Sequence, residues 1–370
     1  MNAGSAPMLL AWLHDLSPFM VRLSGDFGIR WYGLAYMGGF LIAFALLRWL
    51  GRRGASLIPP YRAADAIMIL VIGVMLGGRL GYILFYDPAL LVHFTSSPPW
   101  WGALMVNRGG MASHGGMIGV MLAAWYVARG LRRPDGSPGK RIPVLHVLDM
   151  TALLAPPGLM LGRIANFING ELLGKIVALP GESAPWWAVK FPQEFPYDHD
   201  CSKYMTPEAA NERLRAIDGI VRGAGYDGDL AAGYRAVVEK IQAGNSALAQ
   251  QLEPWISARH PSQLYQAAAE GLVVGGIVWW IARRPRKPGV AGCWFLISYG
   301  ILRVLTELYR LPDANLQVQR IAGLSRGQWL SVAMVVAGTI LLAVFSRRNV
   351  DRIGGWGTPR TVDQGIGRVV

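Results

Sequence analysis

The chain has 370 residues, of which 52% are hydrophobic and only 16% are charged. A soluble domain usually carries about 25% charged residues, so this deficit indicates a membrane protein. The net charge of +13 could suggest a nucleic-acid partner, but the basic residues stand between apolar runs and form no single stripe. We therefore expect the lipid bilayer as a partner and no nucleic acid.

The N-terminal region, 1–30, contains an apolar stretch that resembles neither a cleavable signal nor a membrane span. A histidine, an aspartate and a proline interrupt it, and no basic segment precedes it. We expect 1–30 to be an N-terminal interfacial segment, with a short interfacial helix over 6–22.

Seven segments are apolar and long enough to cross a hydrocarbon layer about 30 Å thick, which needs roughly 20 helical residues. They are 31–50, 66–86, 112–131, 142–162, 263–282, 289–309 and 328–345. This pattern predicts an all-α polytopic membrane protein, with transmembrane helices 1–4 within 31–165 and helices 5–7 within 262–346.

The loops on one side of the predicted bundle are rich in lysine and arginine. These are the connections after spans 1, 3 and 5 and the segment after span 7, whereas the connection between spans 2 and 3 contains only Arg108. The positive-inside rule then places the N-terminus outside and the C-terminus inside. We expect 347–370 to be a cytoplasmic tail that is disordered after Arg352.

The longest connection, 166–261, follows span 4 on the outer side. Thr206 and Pro207 are typical of a helix start, because threonine caps the first turn and proline fits it. A second helix is predicted over 229–243 and ends at Gly244. The sequence predicts an extracytoplasmic loop with a helical cap, and a solvated cap without chemistry is the favoured interpretation.

Five of the predicted spans carry polar residues towards their outer ends, whereas unrelated structural features would scatter between both ends. A charged residue at mid-membrane costs at least roughly 2.5 kcal/mol, so it marks a candidate functional site. The set comprises Tyr32, Tyr36, Arg79, Ser113, His114, Arg163, Asn166, Asn169, Glu171, Tyr299, Arg303, Glu307 and Arg310.

Helical spacing groups several of these residues. Arg163 and Asn166 share one helix face, and so do Arg303, Glu307 and Arg310. Three arginines in a dry pocket would repel one another and Glu307 neutralises only one, so an anionic ligand is the expected remaining partner. Because guanidinium binds phosphate through two parallel hydrogen bonds, an anionic phospholipid headgroup fits.

Some of these residues have simpler interpretations. Arg310 is expected to extend towards the membrane surface from a helix end, and Tyr36 is expected to pack. For Arg79, a structural ion pair with a carboxylate and a role in the site both stay open. His114 stands beside two glycines at a helix start and is the preferred candidate for a general base. The two cysteines and six histidines show no metal-ligand spacing, so we expect no metal and no cofactor.

The run GRIANFINGELLG at 162–174 closely resembles the signature of the prolipoprotein diacylglyceryl transferase family. Four further stretches agree with that family in the expected order: 29–33, 113–116, 260–265, and Tyr299 through Arg303 to Glu307 and Arg310. The chain departs from the family at Ala165, where glycine is usual, and at Gln266, where an acidic residue often follows the tyrosine. The segment 197–254 also looks longer than usual.

The resemblance implies a reaction at a bacterial cytoplasmic (inner) membrane, with the active site towards the outer, periplasmic leaflet. The diacylglyceryl group of phosphatidylglycerol moves to the lipobox cysteine thiol of a prolipoprotein signal peptide. A thioether forms and glycerol 1-phosphate leaves. The nucleophile therefore arrives with the substrate.

The chemistry of this reaction suggests a role for each residue. A free thiol is mostly protonated at neutral pH, so we expect His114 to act as its general base. Arg163 and Arg303 are expected to stabilise the leaving phosphate, with Asn166 as a hydrogen-bond donor. The other expected roles are as follows: Glu307 orients Arg303, Glu171 orients Arg163 or contacts the headgroup glycerol, Tyr32 and Tyr299 provide hydroxyl groups, and Gly174 shapes the loop.

Two other functions stay open from the sequence. A lipid transporter or flippase could use the arginines to hold headgroups, but transporters usually show inverted repeats and polar residues at mid-membrane. An intramembrane hydrolase could use Ser113 or Ser325 with His114. Ser325 lies in a GxSxG match, although the strand–turn–helix context of that motif is missing.

Overall fold

The computed structural model describes residues 11–24, 27–96, 100–105, 110–196, 199–311 and 323–357, and this part of the chain is mostly helical. Its helices are α1 Trp31–Arg52, α2 Ala63–Phe85, α3 Ser113–Ala128, α4 Val144–Asn169, α5 Pro207–Gly223, α6 Leu230–Gln242, α7 Ser246–Leu252, α8 Ser262–Gln266, α9 Val274–Ile281, α10 Val290–Glu307 and α11 Arg326–Arg347. Its strands are β1 Trp12–Leu13, β2 Phe19–Ser24, β3 Phe27–Arg30, β4 Ile176–Ala178, β5 Val189–Lys190 and β6 Ala258–Arg259.

Within those ranges, six helical stretches are long and apolar enough to cross a membrane: Trp31–Arg52, Pro60–Phe85, Val144–Asn169, Ser262–Ile281, Val290–Glu307 and Gly327–Arg347. Helix α3, which corresponds to the third predicted span, is apolar but has only 16 residues. At 1.5 Å per residue it is about 24 Å long and falls short of the hydrocarbon thickness. The chain is therefore a multi-pass helical membrane protein.

The span Ser262–Ile281 is not a uniform α-helix. A π-helical stretch, Ala267–Val273, joins α8 to α9. An extra residue per turn shifts the direction of the side chains that follow, and such stretches are frequent at functional sites. Glu270 lies within this stretch and is fully buried.

The described chain divides into two compact units. The first comprises Met1–Met37, Leu159–Val273 and Tyr299–Val335, and the second comprises Gly38–Gly158, Val274–Ser298 and Val336–Val370. Most of the residues singled out from the sequence belong to the first unit.

The N-terminal part of the first unit forms strands, so the helix predicted over 6–22 is wrong for the residues that the structure describes. Strand β1 pairs in parallel with β5, β2 pairs with β3 in a hairpin, and one sheet has the order β1-β5-β6-β4. Pro18 explains much of this outcome, because it lacks an N–H and disfavours helical backbone at the residue before it.

His14 anchors this N-terminal segment in the interior of the first unit. Its Nε2 lies 2.8 Å from the carbonyl oxygen of Phe167, and the ring also packs against Phe191. Burial lowers the pKa of His14 to about 4, so the imidazole is neutral at physiological pH. It is a core histidine.

Helix α5 begins where the sequence predicts a helix start. The Thr206 hydroxyl accepts a hydrogen bond from the amide of Ala209 at the start of α5, and Asp229 caps α6 in the same way. Helix α7 adds a third element that the sequence did not indicate. Apolar residues from all three helices form a shared core with two residues outside the helices, Phe195 and Ile256. The helical members are Ile217, Val221, Tyr234, Val237, Ile241, Leu248 and Leu252.

In the second unit, glycines allow α2 and α3 to pack backbone to backbone. A Cβ added at Gly119 would overlap the carbonyl oxygen of Gly73, and one at Gly115 would overlap that of Gly77. Small residues at a helix–helix contact let the two backbones approach closely.

Arg79 on α2 has a structural role in the second unit. Its guanidinium donates hydrogen bonds to the carbonyl oxygens of Gly102 (2.7 Å), Ala103 (2.8 Å) and Gly110 (3.0 Å). The residue is buried. These carbonyl groups take the place of the carboxylate that the structural interpretation expected.

The tail is ordered beyond Arg352, contrary to the prediction. The Arg286 amide donates to the carbonyl oxygen of Ile353 at 3.1 Å, and the Trp356 indole donates to the carbonyl oxygen of Trp279 at 2.8 Å. The reason is aromatic burial, since Trp356 packs against Trp49 and Trp279. The prediction for 358–370 lies outside the described residues.

Replacing Gly119 by alanine is expected to destabilise the protein, because the added methyl group has no room against Gly73. Overpacking typically costs about 1–3 kcal/mol. Gly276→Ala is the matched control, since nothing lies within 4 Å of its Cβ position and alanine favours a helix. Thermal unfolding in detergent should show a lower Tm for Gly119→Ala only. An equal Tm for both variants would contradict the close packing.

Candidate active site

The centre of the candidate site is an ion pair between Arg163 near the end of α4 and Glu270 in the π-helical stretch. Arg163 donates from Nε to Oε2 at 2.9 Å and from Nη2 to Oε1 at 3.3 Å, so the guanidinium and the carboxylate meet as two forks. Glu270 is 0% exposed and Arg163 is 18% exposed. The arginine is thus held in one orientation while part of it stays accessible.

Glu270 is not among the residues predicted from the sequence, where Glu171 had the orientation of Arg163 as one of two alternative roles. In the structure, Glu270 accepts the two hydrogen bonds from the guanidinium, and a role of Glu171 towards Arg163 stays a prediction. The signal was present in the sequence: Glu270 is a carboxylate in the middle of a predicted span, where an unpaired charge is costly. Its partner is 107 residues away, so spacing along one helix could not reveal it.

A second group of hydrogen bonds orients Glu171 just after α4. The Tyr32 hydroxyl donates to Oε2 of Glu171 at 2.9 Å, and Asn169 donates to Oε1 at 3.3 Å. The Asn166 amide donates to the Tyr32 hydroxyl and to Glu171. Tyr36 stacks on Tyr32 with ring centroids 6.1 Å apart. The Glu171 carboxylate is exposed and carries hydrogen bonds on both oxygens.

The third group lies at the end of α10. Arg303 and Glu307 form an ion pair with Nη1 and Oε2 2.6 Å apart, as their spacing predicts, and Arg310 Nη1 is 4.0 Å from the same oxygen. Arg310 is 7% exposed, so the expected extension to the membrane surface is wrong. Tyr299 hydrogen-bonds Arg163 and lies near Arg303, and it therefore connects the first and third groups.

The loop 170–175 is held in an unusual backbone conformation. Gly170 and Leu172 have φ angles of +65° and +56°, a left-handed region that bulky side chains rarely adopt. Gln263 donates from its amide to the Glu171 carbonyl at 2.5 Å, and the Ser262 hydroxyl donates to the Leu172 carbonyl at 3.1 Å. The motif at 260–265 thus supports the turn that presents Glu171.

Gly174 follows in the same loop and has no space for a side chain. A Cβ at this position would overlap the backbone carbonyl oxygen of His260. Gly174 also forms an antiparallel bridge with Arg310, and the Leu311 amide donates to the Leu173 carbonyl at 3.0 Å. The loop after α4 and the segment after α10 are therefore joined by backbone hydrogen bonds.

The structure brings most of the predicted site residues into the first unit: Tyr32, Arg163, Asn166, Glu171, Gly174, Tyr299, Arg303 and Glu307. His114 belongs to the second unit, where it is exposed in the first turn of α3. Among the described residues, no group of three or more His, Cys, Asp or Glu side chains could hold a metal ion.

The charge of the site differs from the sequence-based count. Glu270 neutralises Arg163 and Glu307 neutralises Arg303, so two of the three arginines have a carboxylate partner, and the partner of Arg163 is fully buried. Charge excess alone is therefore a weaker argument for an anionic ligand than the sequence indicated. The geometry still favours an anionic ligand, because the paired guanidinium groups are oriented and their side chains are 14–18% exposed.

The GxSxG match at Ser325 is a helix cap. The Ser325 hydroxyl accepts from the Gln328 amide at 3.1 Å, and the Gln328 side chain accepts from the Ser325 amide at 3.0 Å. This reciprocal pair is a capping box at the start of α11. It gives Ser325 a structural role and weakens the hydrolase interpretation.

Comparison with known proteins agrees with the resemblance. The family described as "Prolipoprotein diacylglyceryl transferase" matches residues 18–344. A protein of Bdellovibrio bacteriovorus named phosphatidylglycerol–prolipoprotein diacylglyceryl transferase is 41% identical, over 93% of this chain and 97% of its own length. Proteins with the same name are 36% identical in Ruegeria pomeroyi, covering 88% and 93%, and 34% identical in Neisseria gonorrhoeae, covering 88% and 95%. The chain therefore belongs to the prolipoprotein diacylglyceryl transferase family and is a transferase enzyme.

Proposed function

We propose that the chain transfers the diacylglyceryl group of phosphatidylglycerol to the lipobox cysteine of a prolipoprotein signal peptide. The thiol sulfur attacks the diacylglyceryl carbon that carries the phosphate ester oxygen. The C–S bond forms, the C–O bond breaks, and glycerol 1-phosphate leaves with the electron pair. The observation that supports this proposal best is the oriented Arg163–Glu270 fork beside the Tyr32–Asn166–Glu171 group.

The leaving phosphate changes from a diester with one negative charge to a monoester that approaches two. Fixed guanidinium groups favour that change, because they need no reorientation as the charge develops. We assign this role to Arg163 and Arg303, which Glu270 and Glu307 hold in place. Tyr299 connects the two arginines and contributes a hydroxyl group.

The headgroup of phosphatidylglycerol ends in a neutral glycerol with two hydroxyl donors. Glu171 is suited to it, because it is an exposed carboxylate whose oxygens are already oriented by Tyr32, Asn166 and Asn169. We assign the recognition of this glycerol to Glu171, and we assign the shape of its loop to Gly174. This is the second of the two alternatives that the sequence left open for Glu171.

His114 remains the proposed general base, on the resemblance of 113–116 to the family. It would take the thiol proton as the sulfur attacks. The chemistry as written requires no cofactor.

The cellular arrangement is also a proposal. It comprises a bacterial inner-membrane protein with seven spans, the N-terminus and the cap at 166–261 on the periplasmic side, and the tail at 347–370 in the cytoplasm. The positive loops support it. An impermeant thiol reagent on intact spheroplasts tests it: Arg222→Cys in the cap should react, and Arg133→Cys should react only after permeabilisation. The reverse pattern would overturn the orientation.

Arg163→Ala is expected to lower the transfer rate by about 10²–10³-fold, the usual cost of removing one fixed donor to a developing anion. Purified protein is mixed with phosphatidylglycerol and a lipobox peptide, and the peptide mass and released glycerol phosphate are measured. A peptide with serine in place of cysteine is the control and should gain no mass. Lipid movement between leaflets without any mass gain would instead support a transporter, which the family membership does not favour.

Glu171→Gln is expected to raise the KM for phosphatidylglycerol more than it lowers kcat, since the carboxylate contacts the headgroup and not the reacting carbon. A lost hydrogen bond to a charged group costs about 1.5–3 kcal/mol, or roughly ten- to a hundredfold in KM. The exposed pair Arg222–Asp218 provides a control, and Asp218→Asn should leave KM unchanged. A pure kcat effect in Glu171→Gln would place the residue elsewhere in the reaction.

His114→Gln is expected to lower kcat/KM at pH 7, and the deficit should shrink towards pH 9.5. The reason is that a free thiol with a pKa of about 8.5 ionises by itself at high pH and needs no base. Rates for wild type and variant across this range test the role. A deficit that stays constant with pH would exclude His114 as the base.

A further inference from the structure

The helical cap contributes a buried arginine to the interior of the first unit. Arg213 on α5 is 0% exposed, although α5 is otherwise an amphipathic helix of a polar cap. Its guanidinium donates to Glu194 at 3.0 Å, to Asp200 at 2.7 Å and to the Trp255 carbonyl at 2.7 Å. A solvated cap without a role would have no reason to bury this charge.

Glu194 receives bonds from both sides and is itself fully buried. Arg259 on β6, also fully buried, donates from Nε to Oε2 of Glu194 at 2.9 Å. The Ser257 amide donates to Oε1 at 3.1 Å, and the Ser257 hydroxyl donates to Oε2. Two buried arginines thus share one carboxylate, with Asp200 balancing the remaining charge.

Cys201 joins the same network as a neutral donor. Its thiol lies 3.3 Å from Oε1 of Glu194. Burial, followed by the nearby Glu194, raises the pKa of the Cys201 thiol to about 12. The thiol therefore stays protonated and does not compete with the cysteine of a substrate.

The hydrogen-bond network ends at the loop 170–175. Arg259 donates from Nη1 to the carbonyl oxygen of Gly174 at 3.2 Å. Gly174 in turn forms the bridge with Arg310, which lies beside Glu307. A continuous series of contacts therefore runs from α5 of the cap through Glu194 and Arg259 to the loop that presents Glu171.

We propose that Arg213, Glu194 and Arg259 are positioning residues of the transferase, through which the cap holds the loop 171–175 in its working conformation. The inference deepens the proposed function and rests on it. An arginine fork bonds several acceptors in a fixed geometry, whereas lysine provides one compact charge. Substitution by lysine therefore keeps the buried charge and removes the geometric hold on Glu194 and on Gly174.

The test compares Arg213→Lys and Arg259→Lys with Arg222→Lys. Arg222 lies on the same helix as Arg213, but it is exposed and pairs with Asp218 one turn before it. Kinetics with phosphatidylglycerol and a lipobox peptide are measured on folded protein after gel filtration. We expect kcat/KM to fall about ten- to a hundredfold for the first two variants, because small misplacements of reacting groups have effects of this size. Arg222→Lys should match wild type.

Two outcomes would overturn the inference. One is a lower Tm with unchanged kcat and KM in both buried variants, which would indicate a structural role alone. The other is an equal loss in Arg222→Lys, which would show that the effect does not pass through the buried network.

Ser257→Ala provides a milder variant should the lysine variants fail to fold, since it removes one hydroxyl donor to Glu194 and no charge. Hydrogen exchange of the backbone amides in 171–176 is then the measurement. Faster exchange there, with α6 unchanged, supports the inference, and unchanged exchange in the loop overturns it. Hydrogen exchange needs no catalysis, so it tests the contact between the cap and the loop independently of the reaction. A wild-type protein that forms no thioether would overturn the proposed function alone.

Discussion

The site depends on the pairing of an arginine inside a membrane-spanning helix. An isolated charge at that depth is unfavourable, and removing one partner of a buried pair typically costs about 3–5 kcal/mol. Glu270 meets this requirement for Arg163 through two hydrogen bonds. The π-helical stretch Ala267–Val273 includes Glu270 and sets the direction of its side chain. The pairing offsets the cost of burying the arginine charge. It also fixes the orientation of the guanidinium group.

Beside this pair, the loop that carries Glu171 is held through its backbone carbonyl groups by side chains. Ser262 and Gln263 hold the carbonyl groups of residues 172 and 171, and Arg259 holds that of Gly174. A loop with this backbone would relax without such contacts, because left-handed φ angles are unfavourable for leucine. The motif at 260–265 thereby acts on the loop after α4, although neither Ser262 nor Gln263 is assigned to the chemistry.

Charge balance separates two ways in which a protein can bind an anion. An uncompensated cluster attracts any anion, whereas oriented and partly neutralised guanidinium groups favour an anion with the matching shape. Arg163 and Arg303 are oriented and partly neutralised guanidinium groups, since each has a carboxylate partner. Under the proposed function, we assign the selectivity for one phospholipid to neighbouring groups such as Glu171. In the helical cap, the charge of the buried Arg213 is likewise compensated by carboxylates, those of Glu194 and Asp200.

Features that depend on neighbouring residues along one helix could be predicted from the amino-acid sequence. These include the apolar spans, the caps at Thr206 and Asp229, and the Arg303–Glu307 pair at i, i+4. The tertiary structure was needed to show that Glu270 holds Arg163, that Arg310 is buried and that residues 12–13 join a strand at 189–190. The two groups of features differ in how far apart the interacting residues are along the chain. Helical spacing places side chains within about two turns, whereas a partner from another element is selected by packing and by the cost of leaving a buried charge unpaired.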